Sequence, residues 1–368
     1  MASLKRIVIS GYYGFSNLGD EAVLSAIIEG IRSKSAESVE IVVLSADPEG
    51  TEKNYGVIAV PRMSVSEVRK VLRRSDLFIS GGGSLIQDAT SLRSLAYYLS
   101  TIRLAKAFGC RVMVLGQGVG PLTRRVSRYL SRLVLDHVDL ITVRDTQSAE
   151  LLAELGICKP PIYVTADPAF TLTACQSNEA VAILSKLGFR HDEALIGVSL
   201  RRWADVPDIE HIAARALRII GDRLQARILM ITMHTPNDLD LAKRVQQLRA
   251  SSHIIIQPEP WTPTQLLGVM GHCELIVGMR LHALILAAIA GIPSVGLSYD
   301  PKVENFLRAS GQTSIKLSSL TPEYLVETFL NAWETRRSLS VRLREFAAKM
   351  KEAADKNTSL ALALLDAN

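Results

Sequence analysis

The chain has 368 residues, which is long for one ordinary hydrophobic core, so its length predicts two domains. A hydrophobic fraction of 48% and a charged fraction of 21% are those of an ordinary globular protein. The formal net charge of +5 comes without a dense block of lysine and arginine interleaved with aromatic residues, which argues against nucleic-acid binding.

No segment has the pattern of a signal peptide or a membrane span. The apolar stretch 281–297 is interrupted by His282, Gly291 and Pro293 and is too short to predict a spanning helix. The four cysteines are scattered and form no metal-type pair, so we expect reduced thiols in the cytoplasm and no bound metal.

The first half alternates short strands rich in Val, Ile and Leu with helices. The predicted strands are 6–10, 40–45, 77–80, 111–115, 140–143 and 162–165. The predicted helices are 20–33, 64–74 with Ser64 as N-cap, 92–108, 124–136 and 148–155. This alternation is typical of a parallel sheet that helices cover on both faces.

A polar stretch, 171–193, is the predicted domain boundary, and a second series of strands and helices follows it. Its predicted strands are 195–200, 227–233, 253–256, 274–277 and 294–297. Its predicted helices are 208–224, 237–249, 262–271 and 281–290, with a helical tail over 321–366. The predicted fold class is α/β, with two Rossmann-like domains facing across a cleft, as in the glycosyltransferase-B class. The predicted parts are an N-terminal domain on the acceptor side (1–175), a C-terminal domain with donor-site residues (190–335) and a tail (336–368).

Three glycine-rich loops, 11–19, 81–83 and 116–120, follow strands of the first domain. The carboxyl ends of parallel strands meet at one edge of a sheet, and glycine lets a ligand approach the backbone closely. These loops therefore predict a substrate site rather than a dinucleotide site, since no GxGxxG pattern is present. The candidate substrate-binding residues here are Gly14, Asn17, Gly82, Gly83, Ser84, Gln117 and Gly118.

Carboxylates near these loops are candidates for proton transfer or for contact with a polar ligand. Asp20 or Glu21 could take a proton from a substrate hydroxyl, although Asp20 is explained equally well as a helix N-cap. Asp88 could touch a polar ligand, and Asp167 is predicted to lie in a turn. The isolated histidines, namely His191, His211 and His253, are predicted to be surface residues.

Cations follow strands in both domains. Arg144 could bind a carboxylate or phosphate, or it could pair with Asp145 or another neighbour. Arg280 and His282 stand at the start of helix 281–290, where free backbone N–H groups and the positive dipole end favour an anion. Lys302, one helix and one strand later, returns to the same sheet edge. The pattern predicts a site for a small, multiply charged anion.

Seven segments together resemble the polysaccharide pyruvyl transferase family, in the family's order, over about residues 7–302. They are ISGYYGFSNLGDEA, ISGGGSLIQD, GQGVGP, TVRDTQS, ADPAF, GMRLHALILAAIAGIP and SYDPK. The resemblance is closest to the enzymes that modify bacterial secondary cell-wall polymers. It implies a glycosyltransferase-B-like fold of two domains.

The same resemblance implies transfer of a pyruvyl group from phosphoenolpyruvate to a hexosamine, with formation of a 4,6-ketal. The implied acceptor is β-D-ManNAc in a lipid-linked cell-wall polysaccharide precursor. The family's phosphoenolpyruvate-binding positions correspond to Arg144, His282 and Lys302, and His282 suits the role of general acid. Phosphoenolpyruvate is then a substrate, and no cofactor is expected.

Two other functions are compatible with the sequence. A nucleotide-sugar glycosyltransferase of the same fold is the first, with Glu304 as a candidate ribose contact. A non-catalytic carbohydrate- or anion-binding protein is the second and is less favoured. The basic tail could also rest on the inner face of the plasma membrane, although a solvated helix face explains its charges better. Its cations are Arg336, Arg337, Arg342, Arg344, Lys349 and Lys351.

Overall fold

The computed structural model describes residues 4–35, 38–89, 91–190, 192–248, 253–258 and 260–367. The chain divides into two compact units. Unit 1 comprises residues 1–172 and 350–368, and unit 2 comprises residues 173–349.

Unit 1 contains a parallel sheet of seven strands in the order β3-β2-β1-β4-β5-β6-β7. The strands are β1 (Lys5–Ser10), β2 (Val39–Ser45), β3 (Ile58–Pro61), β4 (Leu77–Ser80), β5 (Arg111–Gln117), β6 (Leu140–Val143) and β7 (Ile162–Val164). The helices are α1 (Leu18–Lys34), α2 (Pro48–Tyr55), α3 (Val65–Leu72), α4 (Leu92–Ala107), α5 (Arg125–Leu135) and α6 (Thr146–Glu154). All four residues of β4 are buried, as expected for a strand that is covered on both faces.

The strand order of unit 1 reverses between β1 and β4, which pair in parallel. The chain runs outward from β1 to β3 and then crosses back to begin β4 on the other side. Ligands of open α/β sheets bind at such a switch point, outside the carboxyl ends of the strands. The loops after β1 and β4 are the first two of the glycine-rich loops.

Unit 2 contains a parallel sheet of six strands in the order β10-β9-β8-β11-β12-β13, which reverses between β8 and β11. The strands are β8 (Leu195–Ser199), β9 (Arg227–Met230), β10 (Ile254–Ile256), β11 (Leu275–Gly278), β12 (Ser294–Ser298) and β13 (Thr313–Lys316). The helices are α7 (Ser177–Lys186), α8 (Ile209–Leu224), α9 (Asn237–Leu248), α10 (Pro263–Met270), α11 (Leu281–Ala290), α12 (Pro301–Ala309) and α13 (Pro322–Asp366).

Several short elements escaped the sequence analysis. Helix α2 reads PEGTEKNY and carries almost no apolar periodicity, and α7 lies inside the stretch predicted as an irregular boundary. Strands β3 and β13 have four residues each and lie at sheet edges, where a strand needs less apolar sequence. Ser64 caps α3 as predicted, and its hydroxyl accepts a hydrogen bond from the Glu67 N–H.

Helix α13 runs without interruption over 45 residues, so the predicted tail 336–368 is not a separate part. It is divided between the two units at residue 350. In unit 2, Arg336 pairs with Glu274 and the Arg344 side chain lies over Gly291. In unit 1, buried Asn357 accepts a hydrogen bond from the Thr165 hydroxyl and donates one to the Ala166 carbonyl. Several polar side chains of the tail therefore bond to other parts of the protein rather than to solvent.

No helix within the described ranges is long and apolar enough to cross a bilayer. His191 and the last residue of the predicted helix 237–249 lie outside the described residues.

Candidate active site

The first glycine-rich loop ends at the N-terminus of α1. The N-cap is Asn17 rather than Asp20, because the Asn17 side chain accepts a hydrogen bond from the Gly19 N–H at 3.2 Å. The Asn17 amide also donates to the Asp20 carboxylate. Asp20 therefore lies in the first turn, where the helix dipole stabilises negative charge. Asn17 was predicted to bind substrate, and the structure shows that it also caps α1.

Glu21 holds the first loop in place. One oxygen of its carboxylate accepts a hydrogen bond from the Gly14 N–H at 2.8 Å, and the other accepts from the Tyr55 hydroxyl at 2.6 Å. Burial raises the pKa of Glu21, although these two hydrogen bonds oppose the shift. Both oxygens are engaged in holding the loop, and the role of Glu21 as a proton acceptor for substrate stays a prediction. The Gly14 N–H is likewise used inside the protein.

Asp20 stands beside the second loop, which in turn contacts the third. Gly83 has a φ of +86°, and a Cβ built on it would lie 2.9 Å from Oδ1 of Asp20. The Gly83 carbonyl accepts a hydrogen bond from the Gly118 N–H at 2.8 Å. The loops after β1, β4 and β5 are therefore in mutual contact, and they bring a carboxylate to the switch point of unit 1.

Two of the predicted substrate residues lie beneath the surface of this site. Gln117 is fully buried, and its amide nitrogen donates to the Ser80 hydroxyl at 2.9 Å and to the Gly81 carbonyl at 3.0 Å. A Cβ on Gly82 would lie 2.7 Å from a Val23 methyl. The buried Gln117 side chain shapes the loop after β4 from inside, whereas ligand contact by Gly82 stays a prediction.

Arg144 forms a buried ion pair. Its Nη1 lies 2.8 Å from Oδ2 of Asp167, and the two side chains are only 7% and 3% exposed. Its Nη2 donates to the Ser84 hydroxyl at 3.1 Å, while Asp145 lies farther away at 3.7 Å. The pairing alternative was thus right, but the partner is Asp167, which the sequence analysis took for a turn residue.

The Arg144 side chain lies against the third loop. A Cβ on Gly118 would lie 2.8 Å from Nε of Arg144, so glycine is required there for the guanidinium to fit. Asp167 also accepts a hydrogen bond from the Ala169 N–H at 3.1 Å, which fixes its own turn. The buried pair thus presents a charged fork in one orientation at the carboxyl edge of the sheet.

Asp88 is a structural carboxylate rather than a ligand contact. It accepts hydrogen bonds from the backbone N–H groups of Thr123 and Arg124 just before α5. Desolvation disfavours its charge, but these and further hydrogen bonds lower its pKa to about 2. Asp88 thereby ties the loop after β4 to the start of α5.

In unit 2, Arg280 forms an ion pair with Asp238. Its Nε and Nη2 donate to the two carboxylate oxygens of Asp238 at 2.7 and 2.6 Å. Asp238 is buried and also accepts from the His234 N–H at 2.9 Å. Arg280 is therefore held by a bidentate pair, as Arg144 is held by Asp167, and its role as a substrate-binding residue stays a prediction.

His282 and Lys302 occupy equivalent places in unit 2. Each is the second residue of its helix, α11 or α12, and each is partly exposed. These helices follow β11 and β12, which are neighbours in the sheet. The Asp300 side chain caps α12 by accepting from the Lys302 N–H at 2.8 Å. Both side chains thus belong to the carboxyl edge of one sheet.

The same edge of unit 2 carries further polar and aromatic groups. Burial and then the Arg280 charge lower the pKa of His234, so a neutral imidazole is favoured there. Arg201 donates to the Tyr299 hydroxyl at 3.3 Å, and its guanidinium lies over the rings of Trp203 and Tyr299. This edge is cationic and partly aromatic.

Asp167 and Asp238 are the residues that the sequence analysis missed. Asp167 stands three residues after β7, and this placement was an available signal, whereas Asp238 is the second residue of α9 and carried none. Within the described residues, no group of three or more His, Cys, Asp or Glu side chains could hold a metal ion.

The model of the polysaccharide pyruvyl transferase family matches residues 17–301 of this chain, well over half of it. The chain belongs to this family. The matched region runs from the N-cap of α1 in unit 1 to the first residue of α12 in unit 2. The family match confirms the prediction that the chain is a pyruvyl transferase and therefore a transferase enzyme.

A curated relative of this pyruvyl transferase is the amylovoran biosynthesis protein AmsJ of Erwinia amylovora. The two are 20% identical over an alignment that covers 83% of this chain and 86% of AmsJ. As its name states, AmsJ takes part in amylovoran biosynthesis.

Solved structures of similar fold cover nearly the whole pyruvyl transferase chain. The S. aureus MnaA structure with UDP has a TM-score of 0.68 at 12% identity and covers 96% of this chain and 94% of its own. The UDP-GlcNAc 2-epimerase of Methanocaldococcus jannaschii has a TM-score of 0.68 at 14% identity, with 97% and 99% covered. At these identities the similarity shows the fold, which confirms the predicted glycosyltransferase-B-like class with two Rossmann-like units.

Proposed function

We propose that this pyruvyl transferase moves the pyruvyl group of phosphoenolpyruvate onto a hexosamine and closes a 4,6-ketal. The proposed acceptor is β-D-ManNAc in a lipid-linked precursor of a cell-wall polysaccharide. The family match over residues 17–301 carries the proposal. Support comes from the charged groups at the carboxyl edges of both sheets, which suit an anionic donor and a hydroxyl-bearing acceptor.

The proposed donor brings a carboxylate and a phosphate, and each unit supplies cations suited to such groups. In unit 1, Arg144 keeps a fixed orientation because Asp167 and Ser84 hold its two terminal nitrogens. In unit 2, Lys302 and the first N–H groups of α11 and α12 favour negative charge. Guanidinium and ammonium groups bind carboxylate and phosphate with charge-assisted hydrogen bonds.

The proposed reaction has two additions at C2 of the donor. A proton adds to the methylene carbon, and one sugar hydroxyl attacks C2. The bond from C2 to the phosphate oxygen then breaks, and the second hydroxyl attacks the resulting oxocarbenium-like centre. One hydroxyl proton replaces the proton delivered to the methyl group, and the other leaves with the phosphate, so the atoms balance.

His282 is the proposed general acid, and Asp20 is the proposed acceptor of a hydroxyl proton. His282 lies in the first turn of α11, beside the backbone N–H groups that would face an anion. Asp20 is preferred over Glu21 because its carboxylate lies beside Gly83 of the second glycine-rich loop, whereas Glu21 accepts hydrogen bonds from Gly14 and Tyr55. Each such group typically contributes about 10²–10⁴-fold to the rate.

The test is incubation of the purified protein with phosphoenolpyruvate and ManNAc-containing acceptors. Phosphate release and a ketal seen by mass spectrometry are the expected results. His282→Ala should lose nearly all turnover while unfolding like the wild type, whereas the exposed His211→Ala should stay active. Wild-type-like pyruvylation by His282→Ala would reject its role.

Donor binding can be measured separately from turnover. Lys302→Ala should weaken phosphoenolpyruvate binding in titration calorimetry more than acceptor binding, with exposed Lys316→Ala as the control. Unchanged donor affinity would contradict the assignment of Lys302. Absence of phosphate release with every acceptor would reject the donor itself.

A nucleotide-sugar glycosyltransferase is the second candidate function. One observation favours it, namely that MnaA, which has a similar fold, was solved with UDP. Glu304 in the first turn of α12 remains the candidate ribose contact. Release of UDP from a UDP-sugar, without phosphate release from phosphoenolpyruvate, would favour this candidate over pyruvyl transfer.

A further inference from the structure

Helix α5 of unit 1 exposes an apolar stripe. Val126, Tyr129, Leu130 and Leu133 are 51%, 66%, 38% and 41% exposed. Their spacing of i, i+3, i+4 and i+7 places all four on one face of the helix. Burial of apolar surface is favourable, so a continuous exposed stripe of this kind indicates a contact surface.

The opposite face of α5 reverses the usual pattern. Ser127 and Ser131 are buried, together with Val134 and Leu135. The helix thus turns two small polar side chains toward the protein and four larger apolar ones toward solvent. Packing inside unit 1 explains neither the length nor the composition of the exposed stripe.

A row of arginines lies along one side of the stripe. Arg125, Arg128 and Arg132 recur at i, i+3 and i+7, so at 100° per residue they form a row beside the apolar face. Arg128 lies 3.5 Å from the exposed carboxylate of Glu154, and this is a weak surface pair. Arg132 lies over Gly156.

Helix α4, which packs against α5, extends the basic surface. It carries exposed Arg93 and Arg103. Neither α4 nor α5, both of which lie wholly within the described ranges, contains an acidic residue. A row of arginines beside an apolar stripe is the arrangement of a helix that lies in the interface of an anionic bilayer.

We propose that α5 docks on a lipid bilayer with anionic headgroups, with its apolar stripe in the interface and its arginines at the headgroups. A second copy of the chain is a poorer occupant, because a two-fold contact would bring the same arginines of both copies together. The proposal places the membrane contact on unit 1 rather than on the basic tail that the sequence suggested.

The position of α5 would place a docked bilayer close to the glycine-rich loops of unit 1. The helix follows the third glycine-rich loop, and the Asp88 carboxylate fixes residues 123–124 at its start. A bilayer bound along α5 would therefore adjoin the loops that hold Gly118 and Gly83. The proposal goes beyond pyruvyl transfer, since vesicle binding requires neither donor nor acceptor.

The test is flotation of the full chain with vesicles of phosphatidylglycerol and phosphatidylcholine. The wild type should float with the anionic vesicles and bind pure phosphatidylcholine much less. Val126→Ser/Tyr129→Ser/Leu133→Ser should lower the partition coefficient by about tenfold or more. Met63→Ser/Val65→Ser, which changes two apolar residues of unit 1 that are at least as exposed, is the control and should bind like the wild type.

The charges are tested separately. Arg125→Gln/Arg132→Gln should reduce binding to anionic vesicles and abolish most of its salt dependence. Tyr129→Trp keeps the apolar stripe intact, and its added fluorescence should shift to the blue when anionic vesicles are present. This reporter keeps the proposal testable if the triple variant fails to fold.

Three results would overturn the proposal. They are failure of the wild type to bind anionic vesicles, unchanged binding by a folded triple variant, and a homodimer in sedimentation that the α5 substitutions dissociate while vesicles remain unbound. Activity on a soluble acceptor should stay unchanged in the triple variant, so failure of membrane docking and failure of pyruvyl transfer are distinguishable.

Discussion

Nη1 of Arg144 lies 2.8 Å from Oδ2 of Asp167, and both side chains are almost completely buried. Burial of two charges is costly unless geometry and further hydrogen bonds compensate. Here Ser84 binds a second nitrogen of Arg144, and the Ala169 N–H binds the second oxygen of Asp167. The pair holds an arginine of the proposed donor site in one orientation.

Asp167→Asn should destabilise unit 1 and impair donor use. The amide can no longer serve both Arg144 and Ala169 as an acceptor, and breaking a buried pair costs about 3–5 kcal/mol. The free energy of unfolding in urea and the KM for phosphoenolpyruvate measure the two effects. Glu154→Gln, which breaks the exposed pair with Arg128, should cost less than about 1 kcal/mol. Equal losses in the two variants would contradict the role of Asp167.

Asp88→Ala should remove the acceptor at the start of α5 and cost about 1–2 kcal/mol near neutral pH. The pKa of Asp88 is lowered to about 2 in the folded protein, so its stabilising effect is complete above its unfolded pKa of about 3.9. The effect is lost as the pH falls through the range from about 4 to about 2. Urea titrations across that range should show the stability of wild type and variant converging. A difference that stays constant with pH would refute the assignment.

Glu21→Gln should gain stability relative to the wild type as the pH rises. Burial raises the pKa of Glu21 in the folded state, so ionisation of this carboxyl disfavours folding. The gain should begin above the unfolded pKa of about 4.3 and level off once the pH exceeds the raised value. Glutamine can still accept from the Gly14 N–H, whereas Glu21→Ala should destabilise at every pH. Parallel stability curves for wild type and Glu21→Gln would show that burial of the charge has no such effect.

Asp238→Asn should lower the pKa of His234 further. Asp238 raises that pKa, and the charge of Arg280, which Asp238 now neutralises, lowers it. NMR titration of the imidazole resonances measures the shift. Asp240→Asn, an exposed change on the same helix, should leave the His234 pKa almost unmoved. An increase in the pKa of His234 in Asp238→Asn would mean that Arg280 leaves the site once its partner is lost.

The sequence predicted the loops and helix starts that lie at the carboxyl edge of each sheet, but not the partners of their side chains. The loops after β1, β4 and β5 were predictable because strands rich in Val and Ile end at glycines. Gln117 and Arg280 have the residue types of ligand contacts, yet Gln117 bonds inward and Arg280 is held by Asp238. A polar residue at a strand end can contact a ligand or bond within the protein. The local sequence contains no information about a partner that is distant in the chain.

Alternation of apolar strands with helices determined the two parallel sheets, and the ordered set of motifs determined the family. The tertiary structure decided the partners, since Arg144 and Asp167 are 23 residues apart and Asn357 lies 192 residues from Thr165. It also decided which face of α5 is buried, because the contact of this helix with α4, and not hydrophobicity alone, sets its orientation. Strand and helix periodicity arises from neighbours in the chain, whereas charge pairing and exposure depend on groups that only folding brings together.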